Sequence, residues 1–222
     1  MYSFAQRSDT LVYDEPLYAH YLRHTKAHKY HPGADEVLAS QESDGDRVIA
    51  MMLQASEKPV LFFKNMAHHL LNLDRSFMEE TISVILTRDP TDMLPSFAQV
   101  VEHPTLDDVG YQLQAELADE LDRRQWPMVV LEVRAILMDP PRELKRICQA
   151  ANIPFEKAML EWPAGPRPED GVWAKHWYDS VHRSTGFGQY RPKKDPFPER
   201  LKPLLEQCMP YYERLRVRAT KE

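Results

Sequence analysis

Three nearly continuous apolar runs constrain this chain most: PVLFFK (59–64), SVILTR (83–88) and MVVLEV (128–133). They do not alternate, which is the pattern of parallel strands covered on both faces. TLVYDE (10–15) reads as a further strand. Helix signals fill the intervals. Asp89 suits an N-cap, with Pro90 at the first helical position and Asp92 in the first turn. Thr105 with Asp108 forms a capping-box pattern, after which Leu106, Val109, Leu113, Leu117 and Leu121 fall on one face. Asp139-Pro140 opens another helix, with Leu144, Ile147, Cys148 and Ala151 inward and Asn152-Ile153-Pro154 at its end. Strands alternating with helices in this way predict an α/β fold, a three-layer α/β/α arrangement with a mostly parallel sheet.

The chain has 222 residues, enough for one sizeable domain over 1–222. Residues 1–160 read as its sheet-and-helix core. From Trp162 the texture changes: WPAGPRPEDG is proline-rich and leads into the aromatic VWAKHWYDSVHRSTGFGQYRPKKD. The stretch 161–195 therefore reads as an irregular lid or nucleotide loop. Residues 196–222 read as a C-terminal helix that Pro203 and Pro210 should interrupt.

Bulk properties exclude several functions. A net charge of −6 offers a polyanion no general attraction, so nucleic acid is not an expected partner. A single nucleotide needs only a local cluster of positive groups. MYSFAQRSDT is neither a charged-then-apolar leader nor an anchor, and no apolar run approaches the roughly 20 residues that cross a bilayer. The expectation is a cytoplasmic protein without a membrane partner, with Cys148 and Cys208 as buried, reduced thiols. Glycine is scarce, and nothing spells the Walker or dinucleotide phosphate loop of an ordinary ATPase or dehydrogenase. His20, His24 and His28 share a helical face, but no carboxylate or cysteine completes a ligand set, so no metal is expected.

One constellation points to a bound anion. Arg88 closes a strand at the end where open α/β sheets bind ligands, and the helix opened by Asp89-Pro90 presents free N–H groups beside it. Ser96 follows eight residues after Arg88, and Pro95 should bend the local axis. The plain alternative is an Arg88 paired with Asp89 or Asp92 and an exposed serine.

The whole segment LTRDPTDMLPS resembles the 3′-phosphate site of sulfotransferases that use 3′-phosphoadenosine 5′-phosphosulfate (PAPS). VVLEVRAILMDPPRELKRICQAANIPF, with Glu132 in its strand, is similar to that family's strand-then-helix segment. DEPLYAHYL resembles the EPL segment of bacterial and carbohydrate sulfotransferases, and GPRPEDGVWAKHWYDSVHRSTGF a bacterial branch sometimes labelled aminotransferase-like. The likeness runs from Met1 to about Phe187 and implies a P-loop NTPase-like sulfotransferase fold. It also implies a first strand and a Ser/Thr-rich 5′-phosphosulfate loop ahead of MYSFAQRSD, so the chain reads as N-terminally truncated: a late-assigned start, a truncated product, or a natural remnant.

The resemblance implies roles for particular residues. Arg88 and Ser96 would take the 3′-phosphate, joined by Arg183, Ser184, Thr185 and Gly186, which resemble the family's Arg-Lys-Gly loop with Ser in place of Lys. Arg191, Lys193 and Lys194 would add positive potential. Glu15 matches the base of the carbohydrate enzymes; its plain alternative is a carboxylate at the start of the next helix. Lys64 would stabilise developing charge. His68 and His69 compete as bases, out of register with the family's Lys-x-His, and only one of two adjacent histidines should reach a site. Trp173, Trp177 and Tyr178 would line the acceptor pocket, stack on adenine, or simply fill core. The implied function is sulfuryl transfer from PAPS, as co-substrate, to the hydroxyl or amine of a small-molecule acceptor, with a homodimer left open. The alternatives are an inactive nucleotide-binding or interaction remnant and a small-molecule kinase.

Overall fold

The structure is a computed structural model that describes residues 1–193 and 195–220; Lys194 lies outside them. In chain order come β1 (Thr10–Asp14), α1 (Tyr18–His24), α2 (Ala34–Ser40), α3 (Gly45–Gln54) and β2 (Val60–Lys64). There follow β3 (Ser83–Thr87), α4 (Pro90–Phe97), α5 (Leu106–Val109), α6 (Tyr111–Arg124), β4 (Met128–Glu132), α7 (Val133–Met138) and α8 (Pro140–Ala150). Two single-turn helices, α9 (Ala174–Trp177) and α10 (Asp179–His182), lie in the irregular segment, and α11 (Lys202–Ala219) comes last.

The strands coincide with the apolar runs to within a residue or so at each end. They pair in parallel, β1 with β2 from Thr10↔Val60 to Asp14↔Lys64, and β3 with β4 from Ser83↔Met128 to Thr87↔Glu132. Helices with parallel strands make this an α/β fold. Among the described residues the ladder bonds form two two-stranded sheets. Each sheet lies in its own compact unit, and each unit is assembled from two stretches of chain: 1–77 with 156–187, and 78–155 with 188–222.

In the first unit, Tyr18, Ala19 and Leu22 of α1 and Ala34 and Val37 of α2 pack with Trp173, Ala174 and Tyr178. Trp173 is thus a core plug, 2% exposed. α1 ends at His24 because Thr25 is extended and its side chain caps a separate 3-10 turn, Lys26–Lys29. His28 therefore does not continue the face of His20 and His24.

In the second unit, Leu94, Ala98 and Tyr111 meet Leu201, Leu204, Cys208 and Tyr212. Asp89 caps α4 by accepting the Thr91 N–H, with Pro90 in the first turn, and α4 continues through Pro95. Thr105 and Asp108 close their capping box, but Gly110 (φ 70°) ends α5 and begins α6. The apolar stripe from Leu106 to Leu121 is therefore split between two helices, at the residue type that enters left-handed backbone without steric cost. α11 buries Leu204, Cys208, Tyr212, Leu215 and Ala219 along one stripe. Pro203 sits in its first turn, where no N–H is needed, and exposed Pro210 does not end the helix. Both cysteines are free and buried. Among the described residues no helix is long and apolar enough to cross a membrane.

Candidate functional site

The register of β1 and β2 sets Asp14 opposite Lys64, and Glu15 follows at the carboxyl end of β1. Glu15 turns there with φ 47°, a left-handed conformation that costs a side-chain-bearing residue on the order of 1 kcal/mol or more. Three hydrogen bonds hold the turn. The Glu15 N–H donates to the Lys64 carbonyl (2.7 Å), and the Glu15 carbonyl accepts from the Tyr18 N–H (3.0 Å) and Gln41 Nε2 (3.1 Å). The turn leaves Glu15 buried, 7% exposed.

The Lys64 ammonium distributes its donors over three acceptors: Glu15 Oε1, Asp14 Oδ1 (3.1 Å) and the Tyr178 hydroxyl oxygen (2.6 Å). The Tyr178 hydroxyl in turn donates to Asp14, 2.8 and 2.9 Å from the two oxygens, and the Gly171 N–H donates to Asp14 Oδ2 (3.2 Å). Burial raises the Glu15 carboxyl above its ordinary value, against the pull of Lys64. Burial alone would lower Lys64, but the carboxylates of Glu15 and Asp14 outweigh it and keep the ammonium charged. A carboxylate with raised basicity, steered by a fixed cation, suits proton acceptance.

His69 joins the cluster. His69 is buried and held well below its ordinary value, first by burial and then by His68 and Lys64, so its ring is neutral. The Met66 N–H donates to Nδ1 (3.4 Å), which leaves the ring proton on Nε2, 3.8 Å from Glu15 Oε2. Tyr18 stacks on this ring with centroids 5.1 Å apart. Tyr21 contacts both rings, with centroids 5.4 Å from His69 and 6.1 Å from His68.

The irregular segment is fastened to the same unit. Asp170 accepts from the Tyr2 hydroxyl (2.7 Å), the Arg167 N–H (2.8 Å) and His182 Nε2 (3.0 Å). Within the expected phosphate loop, Arg183 pairs with Asp179 at the surface. The Ser184 hydroxyl donates to the Val181 carbonyl (2.6 Å) and accepts from Trp162 Nε1 (3.0 Å), while the Thr185 carbonyl accepts the Trp162 N–H (3.1 Å). Gly186 bridges Glu161, and a Cβ there would lie 2.9 Å from the Leu160 carbonyl oxygen, so the loop needs glycine.

In the second unit, the buried Tyr111 hydroxyl donates to the Arg88 carbonyl (2.7 Å) and pins the exit of β3. The Arg88 side chain is exposed and makes no hydrogen bond or ion pair among the described residues. Asp89 is committed to its cap, accepting from the Thr91 N–H (2.8 Å) and hydroxyl (2.6 Å). Ser96 Oγ accepts from Lys193 Nζ (3.0 Å). Beside them, Glu132 caps α7 through the Ala135 N–H (3.1 Å), and its other oxygen and the hydroxyl of its register partner Thr87 are buried without partners.

A family model described as a sulfotransferase domain matches residues 1–219. The chain belongs to the sulfotransferase domain family. Two curated relatives of this sulfotransferase domain are from Arabidopsis thaliana: branched-chain-amino-acid aminotransferase-like protein 2, 38% identical over 97% of the chain, and aminotransferase-like protein 1, 40% identical over 97%. The chain spans 38% and 39% of their lengths, about two fifths. Among solved structures it is similar to a sulfotransferase domain from the curacin biosynthetic pathway, with TM-score 0.44 and 14% identity over 85% of this chain and 75% of that one.

Within the sulfotransferase domain, Glu15, Lys64 and His69 converge on one buried cluster, and Arg88 and Ser96 lie in the other unit. Sequence reasoning missed Asp14 and Tyr178 as members of the cluster. Asp14 left a signal: in TLVYD the inward residues are Thr10, Val12 and Asp14, an acid in the buried phase of a strand. Tyr178 was read as a pocket-lining, adenine-stacking or core aromatic, but its bond to Asp14 left no signal, spanning 164 residues.

Proposed function

We propose that this sulfotransferase domain moves a sulfuryl group from PAPS to the hydroxyl or amine of a small acceptor, with Glu15 as the base. The observation that carries the reading is the buried Glu15 carboxylate, held by Lys64 at the carboxyl end of β1 in a backbone conformation that the surrounding bonds maintain. Sulfuryl transfer, like phosphoryl transfer, depends mainly on positioning and charge. PAPS supplies the activated sulfur: its bond to the phosphate oxygen breaks as the acceptor atom bonds to sulfur, and adenosine 3′,5′-bisphosphate leaves with the electron pair. Glu15 takes the acceptor's proton as that bond forms. Lys64 fixes the carboxylate, and neutral His69 backs it from the other oxygen.

On the donor side, the Arg88 guanidinium, unpaired among the described residues, and the Ser96–Lys193 pair suit the 3′-phosphate, an anion that offers several acceptors. Arg183, Ser184, Thr185 and Gly186 are assigned to the same nucleotide by family resemblance.

The test is transfer of radiolabelled sulfate from PAPS to a panel of small alcohols, phenols and amines. Glu15→Gln should lower kcat by about 10²- to 10⁴-fold while leaving binding of adenosine 3′,5′-bisphosphate intact. Full activity in Glu15→Gln would remove Glu15 as base. Nucleotide binding without transfer to any acceptor would leave a nucleotide-binding protein in place of an enzyme.

A further inference from the structure

Lys64 faces two carboxylates, Asp14 and Glu15, and donates to both, but the two are not equally supplied with other donors. The difference lies in what else Asp14 holds. The Tyr178 hydroxyl and the Gly171 N–H both donate to Asp14, and both come from the irregular segment that follows Trp162. Glu15 receives from Lys64 without a comparable set of backbone donors. The hydroxyl of Tyr178 has one proton, directed at Asp14 with Glu15 also within its reach, while its oxygen accepts from Lys64. Tyr178 thereby gives Asp14 a second side-chain donor beside Lys64 itself and lessens the claim of Asp14 on the ammonium it shares with Glu15.

We propose that Tyr178, assisted by Gly171, is a positioning residue that satisfies Asp14 and so assigns the Lys64 ammonium to Glu15. The irregular segment then sets the strength of the base. This inference rests on the reading of Glu15 as the base, but the arrangement can be tested without any acceptor. The groups facing Glu15 are Lys64 from β2, Asp14 from β1, Tyr178 between α9 and α10, Tyr18 from α1 and neutral His69.

Two conservative substitutions should act in opposite directions. Tyr178→Phe keeps the ring but deprives Asp14 of its hydroxyl donor, so Lys64 is drawn towards Asp14 and Glu15 loses part of its cation. Glu15 should then titrate higher. Asp14→Asn removes both the competitor for Lys64 and a like charge beside Glu15, so Glu15 should titrate lower. The measurement is ¹³C NMR of the full chain labelled at glutamate Cδ, with the Glu15 resonance assigned by its loss in Glu15→Gln. Shifts of about one pH unit, up for Tyr178→Phe and down for Asp14→Asn, are the expected result.

Unchanged titration in Tyr178→Phe, or shifts of the same sign in both variants, would overturn the proposal. If Asp14→Asn does not fold, the sign of the shift in Tyr178→Phe decides alone. Where transfer is measurable, the acidic limb of the rate profile should move with the NMR titration. An active Glu15→Gln would refute the base assignment while leaving the NMR result, and this inference, standing.

Discussion

Arg88 illustrates how one side chain can be set up by what its neighbours already do. Tyr111 fixes its carbonyl, Asp89 is spent on the α4 cap, and the guanidinium is left unpaired among the described residues at the mouth of β3. An exposed arginine with no acidic partner has little to lose on meeting an anion, so most of a charge-assisted bond should appear as affinity. Arg88→Ala is expected to weaken adenosine 3′,5′-bisphosphate binding about 10- to 100-fold by calorimetry, whereas Arg134→Ala, at an exposed arginine of α7 whose guanidinium stacks on Tyr190, should leave it within about twofold. Equal affinity for the wild type and Arg88→Ala would take the arginine out of the site. Arg88 and Ser96 could be read as one candidate pair because both lie within one strand–helix connection. Lys193 could be read there only as a charge, since its bond to Ser96 spans 97 residues.

At the scale of the element, β2, β3 and β4 were legible because unbroken apolar runs bounded by helix caps admit little else, and β1 because its β-branched and aromatic residues favour a strand. Two helix readings went differently, each at a residue with special backbone chemistry. Gly110 divided a stripe whose hydrophobic spacing was continuous, because spacing does not register one left-handed residue. Pro210 failed to divide α11, because the buried stripe from Leu204 to Ala219 outweighs a missing backbone bond. Pro210 is exposed and contributes no core packing, so Pro210→Ala should restore that bond. Thermal unfolding should show a gain of about 1 kcal/mol or more, a rise of roughly 2–4 °C for a chain of this size. A lowered Tm would mean that the proline is part of the helix's required shape.

Across the molecule, each unit closes only when a distant stretch of chain arrives. Trp173 and Tyr178 complete the core begun by α1 and α2, and Leu201, Leu204, Cys208 and Tyr212 complete the one begun by Leu94 and Tyr111. A fragment of residues 1–155 keeps the four strands but loses both contributions. Circular dichroism should show no cooperative melt for it, against a cooperative one for residues 1–222; a cooperative transition in the fragment would show the later residues to be dispensable. The same separation hid the cluster from sequence reasoning, which found Glu15 and Lys64 near their strand ends but not the tyrosine that completes the network. For a nascent polypeptide emerging from the ribosome, this interleaving postpones closure of either hydrophobic interior until most of these 222 residues have been synthesised. The early strands therefore wait with their edges uncovered, the state in which unpaired strands and apolar surface are open to wrong partners.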